Sequence, residues 1–253
     1  MNIWVVDVET TGLDHATDRV VEFAAVPVEV KAPVDQVAKP EDVAILGGYS
    51  SLVFPARLIP PESSAVHHII DEDVVEAPPL GRAVDRVLGP LWRNALDRVF
   101  VAHVARFDRN FLPMLHDDAR WVDTHRCALH IFPDAPNHKN QTFRYLFKFD
   151  VPRDLNVHRA LGDATVTAHL FARLLQERPL AELFKLSTKP VILKTLPFGK
   201  HRGELWTEVP SDYLDWMIRE NMDTAEKQDD PDVRHTLKQE RARRAAIDNA
   251  KGN

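Results

Sequence analysis

Apolar residues recur along this chain with two periods. Asn2 to Asp7 is a short, mostly apolar run that ends in acids, and Val20 to Val30 is a longer Val-rich run; both predict buried strands. Tyr49 to Phe54, Arg98 to Ala102 and Trp121-Val122 predict three more. Helical spacing takes over from Leu80 to Ala95, with Ala83, Val84, Val87, Leu88 and Leu91 on one face. It returns over Phe107 to Leu115, with Phe111, Leu112 and Leu115 inward, and over Leu161 to Leu175, where Ala164, Ala168, Phe171 and Leu175 share a face. Pro60-Pro61 stops regular structure, and Glu62-Ser63-Ser64 opens a short helix. Lys31 to Gly48, interrupted by Pro33, Pro40, Gly47 and Gly48, reads as an inserted loop or an extended hairpin.

Strands followed by alternating helices predict an α/β sheet with helices on its faces. The periodicity weakens between Pro179 and Leu196, and Phe198-Gly199-Lys200-His201-Arg202-Gly203 then opens a second unit. Its helices are expected over Tyr213 to Asn221 and Pro231 to Arg244, with Trp206, Tyr213, Leu214, Trp216 and Met217 as one core-facing cluster. The Arg-rich tail from Lys238 is expected to fray. The organisation expected is a domain over 1–178, a linker over 179–196 and a small, mostly helical module over 197–253.

Composition narrows the function. A net charge of −6 argues against a passive nucleic-acid coat, which would be basic, but not against an enzyme that gathers carboxylates at one place for bound cations. Cys127 is the single cysteine, so an internal disulfide and a cysteine-based zinc cluster are excluded, and a cytoplasmic location is expected. No stretch approaches the roughly 20 apolar residues of a membrane span, so no membrane partner is expected.

Three local patterns carry candidate chemistry. In Asp7-Val8-Glu9, residues i and i+2 of a strand point to one face, and two carboxylates there repel unless a cation lies between them. Thr10-Thr11-Gly12-Leu13 follows as a tight turn that can bring amides near a bound strand end. His103-Val-Ala-Arg-Phe-Asp108 begins where the fourth strand ends and runs into a helix; alone, Asp108 fits a helix N-terminal acid favoured by the dipole. His158-Arg-Ala-Leu-Gly-Asp163 sets an imidazole ahead of a helix and a carboxylate inside it. Open α/β sheets bind ligands at the carboxyl ends of their strands, so the acids are expected to converge.

These motifs, in this order, resemble those of the DEDDh family of 3'→5' exonucleases. Glu62-Ser-Ser-Ala-Val-His67-His-Ile is similar to the family segment that holds the 3'-terminal nucleotide. The stretches Val101 to Leu115 and Phe198 to Gln239 resemble the family's bacterial exodeoxyribonuclease X branch. The resemblance implies an RNase H-like fold, a mixed five-stranded sheet flanked by helices. It implies two divalent cations, Mg2+ with Mn2+ able to substitute, on Asp7, Glu9, Asp108 and Asp163, and His158 as general base, imidazole being the side chain that titrates nearest neutrality. It further implies release of 5'-mononucleotides from a single-stranded 3' end, DNA favoured, in DNA repair or recombination. Thr10, Thr11, Gly12, Leu13, Glu62, His67, His103 and Phe107 would bind substrate. An RNA-trimming or proofreading exonuclease, and a catalytically weak nucleic-acid-binding protein on the same fold, are the alternatives. The sequence departs from the family at Val104, where Asn usually follows the motif histidine. Arg57, Arg106, Arg126, Lys139, Arg144 and Arg159 are candidate phosphate contacts, with Lys200 and Arg202 as guides to nucleic acid in the module.

Overall fold

The computed structural model describes every residue except Met1, Pro90, Leu91, Asp117, Asp118, Arg153, Asp154, Asn156, Asp229, Gly252 and Asn253, and leaves out the side chains of Asp248 and Lys251. Two compact units divide at 188/189.

The first unit begins with strands β1 (Asn2–Thr10), β2 (Val20–Val30), β3 (Val43–Ile45) and β4 (Tyr49–Leu52). Helices α1 (Pro61–His67), α2 (Asp71–Val74) and α3 (Leu80–Leu88) follow, then β5 (Arg98–Ala102), α4 (Ala105–Phe111) and β6 (Arg120–Asp123). Helices α5 (Thr124–Ile131), α6 (Asn140–Leu146), α7 (Ala160–Leu175) and α8 (Leu180–Leu186) complete it. The sheet runs β3-β2-β1-β5-β6, with β4 also on β2. It is five positions wide, because β4 pairs with Glu22 to Ala25 and β3 with Val28 to Val30 along the same free edge of β2. β1 is antiparallel to β2 and parallel to β5, which is parallel to β6. The 31–48 stretch is thus an extended hairpin that contributes its own strand.

Strand alternation divides the core in two. Ile3 and Val5 join Ala24, Val26, Val99 and Val101 beneath α7, while Val6 and Val8 join Phe23, Phe100 and the α3 and α4 residues on the other face. Asp7 and Glu9 continue the first series, so they emerge on the α7 side. Because β1, β5 and β6 are parallel, the segments leaving all three open at one edge of the sheet. The predicted inward faces of α3 and α7 are buried, except that Leu91 lies outside the described residues. The expected helix over Phe107 to Leu115 instead starts at Ala105, ends at Phe111 and gives way to a single 3-10 turn at Pro113–Leu115. The first half of the stretch read as a linker is α8, whose Leu180 and Leu183 lie in the core under α7.

In the second unit, α9 (Ser211–Arg219) and α10 (Pro231–Lys251) pack around Leu196, Trp206, Val209, Tyr213, Leu214, Met217, Val233 and Leu237. Trp216 differs from expectation: it is 39% exposed, its ring set against Tyr213. The tail is helical through Lys251 rather than frayed. Buried Glu240 accepts hydrogen bonds from Arg243 and Arg244, and Arg244 also donates to the carbonyls of Trp206 and Val209. Among the described residues, no helix is long and apolar enough to cross a membrane.

Candidate active site

A cavity of about 760 Å³ opens where β1 and β5 end, lined by Asp7, Glu9, Asp108, Asp163 and His158, with His103, Val104 and Phe107 along one wall and Lys139, Asn140 and Gln141 along another. One oxygen each from Asp7, Glu9 and Asp163 lie within 4.8 Å of one another. The reason is architectural. Asp7 and Glu9 share a strand face, that face looks at α7, and Asp163 occupies the first turn of α7. A register shift at Glu9/Thr10 ends regular pairing at this point, as bulges beside active sites do.

The electrostatics are those of carboxylates crowded away from water. Burial, then Asp108, Asp163, Glu9 and Glu22, raises the Asp7 pKa well above the ordinary carboxylate range. Burial with Asp163 and Glu22 pushes Glu9 up to about 8, against relief from Arg159. Asp108 is buried and raised too, by burial first and then by Asp123, with backbone hydrogen bonds as partial relief. Asp163 is raised by burial. Its Oδ1 accepts from Gln141 Nε2 at 2.9 Å and its Oδ2 from the His158 amide at 2.9 Å. A carboxylate has further lone pairs, so each oxygen can still bind a cation. An all-oxygen donor set with protons held only by crowding suits a hard divalent cation, which would replace those protons.

The remaining expected residues fall into two groups. His158 is exposed on the cavity wall with φ 58°. Leu13 is 86% exposed, and Phe107 lines the cavity while packing on Phe111. His103 is a brace: Nε2 donates to the His138 carbonyl at 2.9 Å, and Nδ1 pairs with the Thr124 hydroxyl at 3.0 Å. Burial and His125 lower its pKa to about 4, so it is neutral at pH 7. The hydroxyls of Thr10 and Thr11 are engaged within their own loop, by the Gly12 carbonyl and by Asp18. Gly12 packs so closely on the Asp18 carboxylate that a Cβ would collide with it. His67 is buried and does not line the cavity; its Nδ1 accepts from the Ile69 amide, and burial lowers its pKa. Glu62 is exposed on α1, which Ser63 ties to the turn after β1 through the Thr11 carbonyl at 2.8 Å.

Three participants escaped the sequence reading. Gln141 and Asn140 hold Asp163 by side chain and by carbonyl. Glu22 stands opposite Glu9 in the β1–β2 register and is buried. It takes both Nε and Nη2 of Arg159, at 2.9 and 3.0 Å, and the Ala160 amide at 3.1 Å. The signal was one acid inside the apolar run Val20 to Val30. Arg159 and Arg57 are corrected as phosphate candidates, since Arg57 is held by the Thr17 carbonyl and by Asp18.

Val104 lies at the mouth of α4 with φ 67° and ψ 51°. That left-handed conformation costs an L-residue about 1–2 kcal/mol, is an outlier for a β-branched one, and is readily reached by Asn or Gly. Val104→Asn and Val104→Gly are expected to stabilise the chain by about 1 kcal/mol, a melting-temperature rise of roughly 2–4 °C. Thermal unfolding in chelator checks this, and an unchanged or lower midpoint contradicts the strain.

Comparison with known proteins decides the family. The profile of the exonuclease family matches residues 4–171. The chain belongs to the DEDDh-type 3'→5' exonucleases of the RNase H-like superfamily. It is 29% identical to Exodeoxyribonuclease 10 of Escherichia coli K12 over 241 residues, 92% of this chain and 96% of that one. It is 31% identical to DNA polymerase III subunit epsilon of Treponema pallidum, over 67% of this chain and 74% of that one. Among solved structures, Exonuclease X in complex with 5' overhanging duplex DNA superposes with a TM-score of 0.54 at 26% identity, covering 72% of this chain and 99% of that one. A second profile, described for a quorum-sensing-regulated virulence factor, matches residues 186–226.

Proposed function

We propose that this exonuclease removes 5'-mononucleotides from the 3' end of DNA, single-stranded at that end, in DNA repair or recombination. The observation that carries the reading is the meeting of Asp7, Glu9 and Asp163 within 4.8 Å beside the exposed His158. The choice of DNA leans on the relatives, since Exodeoxyribonuclease 10 is named for DNA and the solved Exonuclease X holds a DNA duplex.

Asp7, Glu9 and Asp163, with Asp108 beside them in the cavity, would hold divalent cations, Mg2+ or Mn2+. Such cations would supply charge stabilisation to an in-line displacement at phosphorus. His158 takes the proton of the attacking water, its backbone fixed on Asp163 while its ring stays free in the cavity. Gln141 and the His158 amide keep the Asp163 carboxylate oriented. Leu13 wedges beside the terminal base, Phe107 forms the wall it meets, and Glu62 reaches toward it from α1, whose end buried His67 braces through the Ile69 amide.

Digestion of 3'- and 5'-labelled single- and double-stranded DNA and RNA, in Mg2+ and in chelator, tests this. The expected result is stepwise mononucleotide release from the 3' end of DNA, in Mg2+ alone. Release from the 5' end, activity in chelator or preference for RNA contradicts it.

A further inference from the structure

A second hollow, of about 450 Å³, lies at the far end of α6, lined by Arg144, Tyr145, Lys148, Phe149 and the turn through Pro152. Helix α6 connects it to the catalytic cavity. Gln141, which holds Asp163, shares a helix face with Arg144 and Tyr145, three and four residues on. From Gln141 to Tyr145 the helix rises about 6 Å, a displacement on the scale of one nucleotide.

The hollow has the chemistry of a nucleic-acid subsite. Tyr145 is 72% exposed, with the Arg144 guanidinium 5.8 Å from its ring centre. An exposed aromatic face flanked by cations is a sequence-tolerant stacking platform for bases. Arg144 is held in place by the carbonyls of Val151 and Pro152, at 3.1 and 3.3 Å. Lys148 is exposed with φ 53°, at the position past a helix end where glycine is preferred. The helix closes there through Phe149 N–H to Arg144 O and Lys148 N–H to Tyr145 O. The backbone there favours glycine, while the helix dipole favours a cation at this end. Asp150, an acid of the lining, acts on His169, whose ring stacks on Phe149. The lining sets two cations, Arg144 and Lys148, against one acid, Asp150, a balance opposite in sign to the chain's net charge of −6 and suited to a polyanion.

We infer that this hollow holds the nucleotide upstream of the one being removed from single-stranded DNA, its base on Tyr145 and its phosphate near Lys148 and Arg144. The inference rests on the exonuclease reading of the neighbouring carboxylates. Two probes separate them in the full chain with Mg2+: the p-nitrophenyl ester of thymidine 5'-monophosphate, which fills only the catalytic cavity, and decathymidylate. Tyr145→Ala is expected to raise KM for decathymidylate about tenfold, from stacking worth about 1–3 kcal/mol per base, with kcat and ester turnover unchanged. Lys148→Gly is expected to raise KM and flatten its salt dependence, with a melting temperature unchanged or higher. Wild-type KM for decathymidylate in both variants overturns the subsite alone. A wild-type chain that cleaves neither probe overturns the exonuclease reading and the subsite with it.

Discussion

Asp7→Asn is expected to lower hydrolysis by about 10³-fold or more, and at the same time to stabilise the metal-free protein at about pH 8. The first effect follows from removing a carboxylate from the group that meets within 4.8 Å; cation stabilisation of several kcal/mol at ~1.4 kcal/mol per tenfold gives that factor. The second follows from the same crowding. Glu9 holds its proton up to about 8 in the folded chain, against 4.5 ordinarily, and Asp7 is raised as well. A carboxyl with a raised folded pKa contributes stability that is full below its unfolded pKa and lost as pH rises toward the folded one. Without metal, stability is therefore expected to fall between about pH 5 and pH 8. Partial exposure of Glu9 and counter-ions reduce the loss to the order of 1–3 kcal/mol. An amide at position 7 takes one charge out of the cluster and flattens that fall. Divalent cation restores the wild-type midpoint by displacing protons. Calorimetry in chelator at the two pH values, beside a nuclease assay, reads both effects. A lower midpoint for Asp7→Asn near pH 8, or activity within tenfold of wild type, would show that Asp7 is not at the centre of the cluster.

This clash of catalytic and structural demand was partly legible in the sequence. Asp7 and Glu9 were readable because a strand has a period of two and an apolar run cannot end in paired acids without a reason. Asp163 was readable because α7 is long and strongly periodic. Glu22 was harder: its partner is 137 residues away, and an acid inside a Val-rich run signals burial without naming its counter-ion. Gln141 and Asn140 belong to none of the motifs, and only the fold brings them to Asp163. His103 was assigned to substrate because the motif points there, whereas its two ring nitrogens are used to brace the loop beneath. Short β3 was hidden because two Pro and two Gly mask a three-residue strand. The tail was read as frayed because its stabilising group, buried Glu240 gripped by two arginines, emerges only once the helix packs.

Arg159→Ala is expected to cost about 3 kcal/mol, a fall in melting temperature of roughly 6–12 °C, and to slow turnover as well. The Glu22 side chain is 3% exposed and that of Arg159 35%. Removing the guanidinium strands a buried carboxylate, the costly way to break such a pair. It also releases the backbone beside His158, because Glu22 holds Arg159 and Ala160 together at the start of α7. Relief of Glu9 is lost too, leaving that carboxyl with more proton and less affinity for a cation. Replacing both partners, as Glu22→Met with Arg159→Met, is expected to recover much of the stability, since an apolar pair of similar volume leaves no stranded charge. Turnover should stay low in the double variant, because the clasp on the His158 segment is still missing. A phosphate-binding Arg159 would behave oppositely: Arg159→Ala would raise KM and weaken its salt dependence while the melting temperature held. Thermal unfolding and steady-state kinetics on the three proteins distinguish the two roles. The bidentate geometry on Glu22, with the Ala160 amide on the same carboxylate, favours the structural one.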